Sequence, residues 1–460
     1  MSTRLETAPS ELVGSRDDLV AWIEAGAKPK AQWLIGTEHE KFVFERATHA
    51  PVPYEGPRGI RALMMGLMDC CGWDPVMEGA NIIALKKAPG KPGGTVSLEP
   101  AGQFELSGAP LADLHQTAAE THQHLEEALR AAGRLGLAFL GAGFSPRWTL
   151  RETPQMPKAR YDVMTRYMPK VGSRGLDMMY RTSTIQTNLD FADEADMVRK
   201  LRVGLALQPV ATALFASSPF TDGKPNGFKS MRSEVWRDTD RSRTGMLPFV
   251  FESGMGYEAY VDYALGVPMY FVYRDGRYID VAGASFRDFM AGKLPGLDGE
   301  RPTLDDWSDH LTTLFPEVRL KRFMEMRGAD GGLEPMITAL SAFWTGLLYD
   351  GASLEAAWSL VADWTAEERQ RLRDEVPRLA LDTPFRGTPL IEVAREAVAI
   401  ARQGLAARGR LDAAGRDERC YLEPVEAIAE SGRTTADEML ARYHGAWKGR
   451  VDPVFEAYAF

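Results

Sequence analysis

Apolar and polar residues alternate in several short runs of the first part of the chain, a pattern that is typical of β-strands. In the run 33–44, WLIGTEHEKFVF, the two-residue period of a strand places Glu38 and Glu40 on one face and His39 on the other. Two neighbouring carboxylates repel each other unless cations or hydrogen-bond donors lie between them. The run therefore indicates a site for an oxygen-preferring ion such as Mg²⁺, although a solvated strand face is the commoner reason for a lone Glu-x-Glu pair.

Two further runs carry polar residues at even spacing. The run 95–110, TVSLEPAGQFELSGAP, places Glu99 and Glu105 on one face of a strand, provided that the Pro-Ala-Gly between them does not shift the register. An ordinary surface strand is the alternative for Glu105. The run 178–191, MMYRTSTIQTNLDF, aligns side chains that suit ligand oxygens and amides, or plain solvent: Thr182, Thr184, Gln186 and Asn188.

The run 317–330, EVRLKRFMEMRGAD, is the most informative strand pattern in the chain. One face carries three cations and a carboxylate, at positions Arg319, Lys321, Glu325 and Arg327. Such a face suits a metal-bound phosphate, because the carboxylate holds the ion while arginine and lysine hold the phosphate oxygens. A solvated ladder of ion pairs is the alternative.

The helical period of 3.6 residues appears at 111–135 and at 193–216. In the first helix, the three histidines are assigned to the solvent side. In the second helix, Asp193 is the expected N-cap. After about Met336 the pattern is almost wholly helical. No linker or repeat divides the chain. We therefore expect a single domain, 1–460, of α+β class with a largely antiparallel sheet and a helix-rich C-terminal part from about 336.

The segment 218–245 is dense in glycine, proline and charge, and predicts a long functional loop. Arginine's planar fork suits the carboxylate of an amino acid. Four arginines of the segment are candidates, although most must pair with neighbouring acids: Arg232, Arg237, Arg241 and Arg243.

The net charge of -10 over 460 residues argues against a nucleic-acid or anionic-membrane partner, since a polyanion needs excess lysine and arginine. The opening 15 residues resemble neither a secretory signal nor a transit peptide, and no apolar run is long enough to span a bilayer. A cytoplasmic location is therefore expected. Cys70, Cys71 and Cys420 have no metal-ligand spacing, and we expect reduced thiols because an adjacent pair rarely closes on itself.

Motifs of the common catalytic classes are missing from the sequence. It has no Walker-type phosphate loop, no Gly-x-Gly-x-x-Gly after a strand, and no serine- or cysteine-centred nucleophile signature. The seven histidines do not cluster as zinc ligands. What remains is an oxygen-ligand metal site.

Longer motifs resemble those of plant and proteobacterial glutamate-cysteine ligases. They begin with GTEHEKF at Glu38 and continue through SLEPAGQFELSGAPL, MPKARYDVM, YMPKVGSRGLDMM, NLDF, SSPFTDGKPNGF, RTGMLPFVFE and FPEVRLKRFMEMRGADGG to VDPVF near the carboxyl terminus. The resemblance spans nearly the whole chain. It implies a glutamine-synthetase-like fold, in which an antiparallel sheet curls around the active site and helices lie outside.

The resemblance also implies a reaction and its residues. ATP would phosphorylate the side chain of glutamate, and the amine of cysteine would then displace phosphate, with two or three Mg²⁺ ions at the site. The implied metal ligands are Glu38, Glu40, Glu99, Glu105 and Glu325. The implied catalytic residues are Arg327 and Lys321, which would contact ATP together with Gln186, while Arg232 and Arg241 would bind substrate.

Further expectations concern partners and rivals. Members of this family suggest feedback inhibition by glutathione, and the chain is expected to be a monomer or a homodimer. Two other functions stay open: a related ATP-using enzyme of the same fold that uses another amine acceptor or transfers phosphate outright, and a metabolite-binding protein without turnover. The acids on several strands argue against the second, because unpaired carboxylates are costly to hold together without a metal.

Overall fold

The computed structural model describes residues 10–87 and 93–460. The expectation of no leader segment falls partly on residues 1–9, which lie outside the described residues. The described strands are β1 (Ile35–Glu45), β2 (Trp73–Glu78), β3 (Asn81–Lys87), β4 (Thr95–Leu98), β5 (Phe104–Ser107), β6 (Leu137–Leu140), β7 (Thr184–Leu189), β8 (Phe220–Thr221), β9 (Lys224–Pro225), β10 (Thr244–Gly245), β11 (Phe271–Arg274), β12 (Arg277–Asp280), β13 (Phe315–Pro316), β14 (Val318–Leu320), β15 (Met324–Asp330), β16 (Pro384–Phe385) and β17 (Thr388–Pro389).

Helices precede, interrupt and follow these strands. They are α1 (Arg16–Glu24), α2 (Ile60–Cys71), α3 (Leu114–Arg134), α4 (Ala159–Tyr167), α5 (Gly175–Arg181), α6 (Glu194–Leu214), α7 (Met231–Trp236), α8 (Tyr257–Gly266), α9 (Phe286–Met290), α10 (Leu304–Thr312), α11 (Glu334–Leu348), α12 (Gly351–Val361), α13 (Ala366–Leu379), α14 (Ile391–Arg408), α15 (Glu423–Ser431), α16 (Thr435–His444) and α17 (Val454–Ala457). Asp193 caps α6 as predicted, since its side chain accepts from the backbone N–H of Asp196.

One antiparallel sheet of nine strands, counted over the described residues, forms the centre of the fold. Its order is β14-β15-β7-β1-β5-β4-β3-β2, and β6 pairs with the end of β1. Every neighbouring pair in this sheet is antiparallel. The α+β class and the antiparallel sheet with helices outside it are therefore confirmed. Within the described residues no helix is long and apolar enough to cross a membrane.

Two runs that read as single strands are in fact hairpins. β4 and β5 pair with Ser97 opposite Glu105, and β14 and β15 pair with Arg319 opposite Glu325. The connection between the strands spans residues 99–103, with the turn at Pro100 and Ala101, in the first case and residues 321–323 in the second. In both hairpins, paired residues are separated by an even number of positions along the chain. The polar residues of each run therefore still share one face.

The run 178–191 begins as helix α5 and not as a strand. Its leucine, methionine and arginine residues favour a helix, and Asp177 pairs with Arg181 one turn later at 3.1 Å. The strand starts only where the β-branched residues Thr184 and Ile185 follow. The segment 218–245 likewise folds locally, since the β8–β9 hairpin and helix α7 occupy much of it.

The back face of the sheet packs against α6 and α11 through buried residues such as Ile185 and Met326. The helix-rich C-terminal part begins with α11, which crosses α14 closely. A Cβ on Gly404 would lie 1.9 Å from the carbonyl oxygen of Gly346, so only glycine allows this contact. The single domain 1–460 stays a prediction.

Two minor expectations are wrong. His124 does not lie on the solvent side of α3 but is 2% exposed and packs against Phe104. Cys70 and Cys71 at the end of α2 form a disulfide, whereas Cys420 is free. The two cysteines are the last two residues of α2, and the backbone turns left-handed at the next residue, Gly72.

Candidate active site

Strand register brings the predicted acids onto one face of the sheet. Glu38 of β1 lies opposite Gln186 of β7, and Glu40 lies opposite Glu105 of β5. On the other side of β7, Asn188 lies opposite Glu325 of β15. Because side chains directly opposite each other in a sheet share a face, these residues of four strands point to one region.

Glu38 is held by the amides of β7. Asn188 donates its Nδ2 to Oε1 over 2.8 Å, and Gln186 donates its Nε2 to Oε2 over 3.3 Å. Burial, together with repulsion from Glu325 and Glu105, raises the pKa of Glu38 to about 7. The buried Oδ1 of Asn188 has no hydrogen-bond partner. A cation at this place would favour the ionised form of Glu38 and would give the Asn188 oxygen a partner.

Glu40 lies among other carboxylates near the centre of the face. It accepts a hydrogen bond from the backbone N–H of Thr184 over 3.1 Å. Burial and repulsion from Glu99 and Glu105 raise its pKa well above the usual value. Glu99 is buried, and the hydroxyl of Tyr161 lies 3.5 Å from its Oε1. Protonation of Glu40 is therefore favoured relative to an exposed carboxyl, and a cation beside it would favour the ionised form.

Glu105 is fully buried but has hydroxyl donors of its own. Ser97 donates to Oε2 over 2.7 Å and Ser107 donates to Oε1 over 3.0 Å. Burial opposes ionisation, yet these hydrogen bonds and the ammonium of Lys158 hold the pKa of Glu105 below its usual value. This carboxylate supplies a fixed negative charge next to Glu40.

Glu325 is the anion of a buried cluster of cations. Arg319 donates to both of its oxygens, Lys321 lies 3.3 Å from Oε2, and Arg327 contacts Oε1. Burial opposes ionisation, but these three cations hold the pKa of Glu325 well below its usual value. Arg327 also donates to Gln186, which links the cations to the Glu38 side of the face. Both oxygens of Glu325 are thus already occupied.

A cavity of about 40 Å³ lies between the acids and the cations. Its lining includes acids, amides and arginines: Glu40, Glu99, Gln103, Gln186, Arg232, Arg319 and Arg327. Trp236 and Phe315, whose ring centres lie 5.4 Å apart, close it on one side. The volume holds about one water molecule, so the cavity must widen before an amino acid or a triphosphate can enter.

The two arginines expected to bind substrate lie in different places. Arg232 of α7 is 3% exposed, lines the cavity and donates to the carbonyl oxygen of Arg327 over 2.8 Å. Its Nε and the Nε1 of Trp236 are buried donors without a partner. Arg241 instead is exposed and lines a separate cavity of about 540 Å³. The structure does not bring Arg241 to the acidic cavity.

Several cavity residues were missed by strand periodicity. Gln103 precedes β5, Trp236 ends α7 and Phe315 begins β13, so none of them shares the alternating pattern of a long strand. Lys158 and Tyr161, at the start of α4, reach the β4–β5 turn, where both donate to the carbonyl oxygen of Leu98. In the sequence, only the family motif MPKARYDVM pointed to these two residues.

Among residues 10–87 and 93–460 no three Asp, Glu, His or Cys side chains are spaced as a ready-made metal site. This spacing does not conflict with Mg²⁺, which commonly uses one or two carboxylates and completes its shell with phosphate and water. The two acids with raised pKa and the unpartnered Asn188 oxygen suit such an ion. The site thus brings carboxylates and guanidinium groups together on one face of an antiparallel sheet, an arrangement that is typical of enzymes with anionic substrates and a metal ion.

Known proteins identify the family of this enzyme. Residues 34–457 match the family model described as Glutamate-cysteine ligase family 2 (GCS2). The chain is 56% identical over 442 residues to a chloroplastic glutamate-cysteine ligase of Nicotiana tabacum, covering 96% of this chain and 82% of the relative. The corresponding enzyme of Arabidopsis thaliana is 55% identical with the same coverage. The chain belongs to glutamate-cysteine ligase family 2, and the predicted ligase class is confirmed.

A solved structure shares the fold of this chain. The glutamate-cysteine ligase of Francisella tularensis in complex with AMP superposes with a TM-score of 0.55 at 12% identity, covering 93% of this chain and 89% of that one. The expected cytoplasmic location, however, is wrong on these findings, because the plant relatives are named chloroplastic. That expectation rested on the residue pattern of the amino-terminal segment, and this pattern does not indicate the compartment in which the relatives are found.

Proposed function

We propose that the chain joins the side-chain carboxylate of glutamate to the amine of cysteine at the cavity between the acids and the arginines, using ATP. The observation that carries this proposal is that one cavity is lined both by carboxylates, Glu40 with its raised pKa and Glu99, and by the guanidinium groups of Arg232, Arg319 and Arg327. A triphosphate and an amino-acid carboxylate need cations, while a metal ion needs the acids.

In the first step, a γ-carboxylate oxygen of glutamate attacks the terminal phosphorus of ATP, and ADP leaves. Arg327 is placed to stabilise charge on the transferring phosphoryl group, because its guanidinium lies at the cavity and is oriented by Glu325 and Gln186. Lys321 lies next to the same carboxylate and adds positive charge for the phosphates. Gln186, on the neighbouring strand β7, accepts a hydrogen bond from Arg327 and so fixes the direction of its guanidinium.

Arg232 is the residue proposed to hold the main-chain carboxylate of glutamate. Its free Nε donor lies beside the cavity, and its position on α7 is fixed by the hydrogen bond to Arg327. In the second step, the amine of cysteine attacks the activated carbonyl and phosphate leaves with one former carboxylate oxygen. No side-chain nucleophile is needed, so positioning and charge neutralisation account for the catalysis.

Mg²⁺, in two or three copies, would neutralise the triphosphate and draw electrons from the transferring phosphoryl group. Glu38, Glu40 and Glu99 are proposed as its holders, since Glu38 and Glu40 favour a cation and Glu99 lies in the cavity wall. Glu105 and Glu325 are included as metal ligands on one condition. Glu105 must release its hydroxyl partners, and Glu325 its guanidinium partners, before either binds the ion.

Glutathione carries the same γ-glutamyl group as the product, so we propose that it competes with glutamate at Arg232. Inhibition that is overcome by raising glutamate would support this proposal, and inhibition independent of glutamate would contradict it. The chain is further proposed to act as a monomer or homodimer, which sedimentation would distinguish.

The reaction itself is tested by ADP release from the purified protein with ATP, Mg²⁺ and glutamate, with and without cysteine. Cysteine-dependent ADP together with a product of the mass of γ-glutamylcysteine supports the proposal. ADP release that requires another amine would replace cysteine as the acceptor, and absence of ADP with any acceptor would overturn the enzymatic role.

A further inference from the structure

Asp330, the last residue of β15, is a buried carboxylate to which the proposed reaction gives no role. Its side chain is 1% exposed. Neither Asp330 nor its partners Ser217, Ser218 and Ser230 are among the described residues that line the acidic cavity. Burial of a carboxylate is unfavourable unless donors and cations surround it. Asp330 therefore needs an explanation other than contact with substrate.

Three hydrogen bonds hold Asp330 in one orientation. Oδ1 accepts from the hydroxyl of Ser230 over 2.7 Å. Oδ2 accepts from the hydroxyl of Ser218 over 2.6 Å and from the backbone N–H of Ser217 over 2.9 Å. Gly143 packs against the same group so closely that a Cβ there would lie 2.3 Å from the Asp330 Cγ. The carboxylate thus has no room to turn towards other partners.

The two serine hydroxyls connect Asp330 to helix α7. A hydroxyl has one proton, and because the carboxylate accepts it in both cases, the oxygen lone pairs remain for the N–H groups of α7. Ser230 is the N-cap of α7 and accepts from the backbone N–H of Ser233 over 3.1 Å. Ser218 accepts from the backbone N–H of Arg232 over 3.3 Å. One carboxylate therefore holds the first turn of α7 at two N–H groups.

Arg232 is the residue of α7 that this arrangement positions. Strand β15 also holds its guanidinium, which donates to the carbonyl oxygen of Arg327 over 2.8 Å. Burial lowers the pKa of Arg232, and the negative charge of Asp330 opposes this effect. The backbone and the side chain of Arg232 are thus both fixed by residues of β15.

We propose that Asp330 is a positioning residue for glutamate, which acts through Ser230 and Ser218 to fix the direction in which Arg232 meets the substrate carboxylate. This inference rests on the proposed binding of glutamate at Arg232. An asparagine at position 330 would keep the shape of the side chain but would carry one NH2 group. The N–H of Ser217 can only donate, so that NH2 group would face Ser230. The Ser230 proton would then turn away from position 330, towards the N–H groups that this hydroxyl caps.

Two variants test the link, Asp330→Asn and Ser230→Ala, with steady-state ADP release as the measurement. Each should raise the KM for glutamate about fivefold or more and change the KM for ATP by about twofold or less. Partial unfolding, in contrast, lowers kcat and leaves both KM values unchanged. Thr303→Ala is the control, because it removes the N-cap hydroxyl of α10, which supplies none of the described lining residues of the cavity. It should leave both KM values within about twofold of the wild type.

A double-mutant cycle shows whether the effect passes through Arg232. In the Arg232→Lys background, Asp330→Asn and Ser230→Ala should raise the KM for glutamate by only about twofold or less, since residues that act through one contact are not additive. Hydrogen exchange adds a measurement that does not depend on the reaction. Amides of α7 should exchange about tenfold faster or more in both variants than in the wild type, because the Ser233 N–H loses its acceptor.

The inference is overturned if Asp330→Asn and Ser230→Ala leave the KM for glutamate and the exchange of α7 unchanged. It is also overturned if either variant raises that KM by the same factor with and without Arg232→Lys. A wild type that releases no ADP with glutamate would instead overturn the proposed function and with it the glutamate site, while exchange in α7 would still show whether Asp330 holds the helix.

Discussion

Arg319 faces Glu325 across the β14–β15 hairpin and donates to both of its carboxylate oxygens, over 3.0 Å from Nε and 2.6 Å from Nη2. Both residues are almost fully buried. Since Lys321 and Arg327 contact the same carboxylate, one anion holds three cations at the cavity. Glu325 therefore stabilises the buried cations in addition to its proposed part in the reaction, whether or not it binds a metal ion.

Glu325→Gln should destabilise the protein, because it leaves buried cations without their counter-ion. Removal of one partner from a buried ion pair typically costs about 3–5 kcal/mol. Chemical denaturation measures the loss of unfolding free energy. Glu45→Gln is the matched control, since Glu45 lies on β1 in a partly exposed pair with Arg58 and should cost about 1 kcal/mol or less. Equal stability of wild type and Glu325→Gln would contradict the counter-ion role.

Glu40→Gln should behave differently, because burial and the neighbouring carboxylates already disfavour the ionised form of Glu40 in the metal-free protein. Glutamine imitates the protonated carboxyl, so we expect metal-free stability to change by about 1 kcal/mol or less. ADP formation and thermal stabilisation by MgATP should both be lost. Retention of Mg²⁺-dependent turnover at the wild-type rate would remove Glu40 from the proposed metal ligands.

Arg232→Lys should raise the KM for glutamate about tenfold or more, because an ammonium cannot reproduce the planar fork of the guanidinium. Steady-state kinetics with varied glutamate measures this effect. Arg241→Lys is the comparison, since Arg241 lies outside the acidic cavity and should change the KM by about twofold or less. A larger effect at Arg241 than at Arg232 would move the carboxylate site to the second arginine.

The residues that sequence could place are those on strands where apolar and polar positions alternate regularly. The acids of β1 and the Arg319–Glu325 pair were found because strand parity survives the tight hairpins. The alternation of apolar and polar residues continues across the hairpin turns and helix α5, so the pattern predicted neither the turns nor this helix. Arg232 and Arg241 illustrate the remaining limit, since both lie in one charged segment and only tertiary packing separates them.

His310 should make stability depend on pH. Burial lowers its pKa to about 4, while the unfolded chain keeps a value of about 6.5. The unfolded state therefore binds the proton more tightly, and stability is lost as pH falls from about 6.5 towards 4, by about 3 kcal/mol in total.

The matched variant for this effect is His310→Phe. It keeps the aromatic packing against Phe286 and Trp307 but removes the titrating group and its hydrogen bond to the Ala264 carbonyl oxygen. Unfolding free energies of both proteins between pH 4 and 7 should converge at the acidic end. Parallel curves over the whole range would show that His310 does not carry this pH dependence.

The most direct test of the proposed reaction follows one oxygen atom. Glutamate labelled with ¹⁸O in its side-chain carboxylate is incubated with the protein, ATP, Mg²⁺ and cysteine, and the released phosphate is analysed by mass spectrometry. The account predicts one ¹⁸O atom in phosphate for each γ-glutamylcysteine formed, because the carboxylate oxygen leaves with the phosphoryl group. Dipeptide formation with unlabelled phosphate would contradict activation of glutamate by phosphorylation.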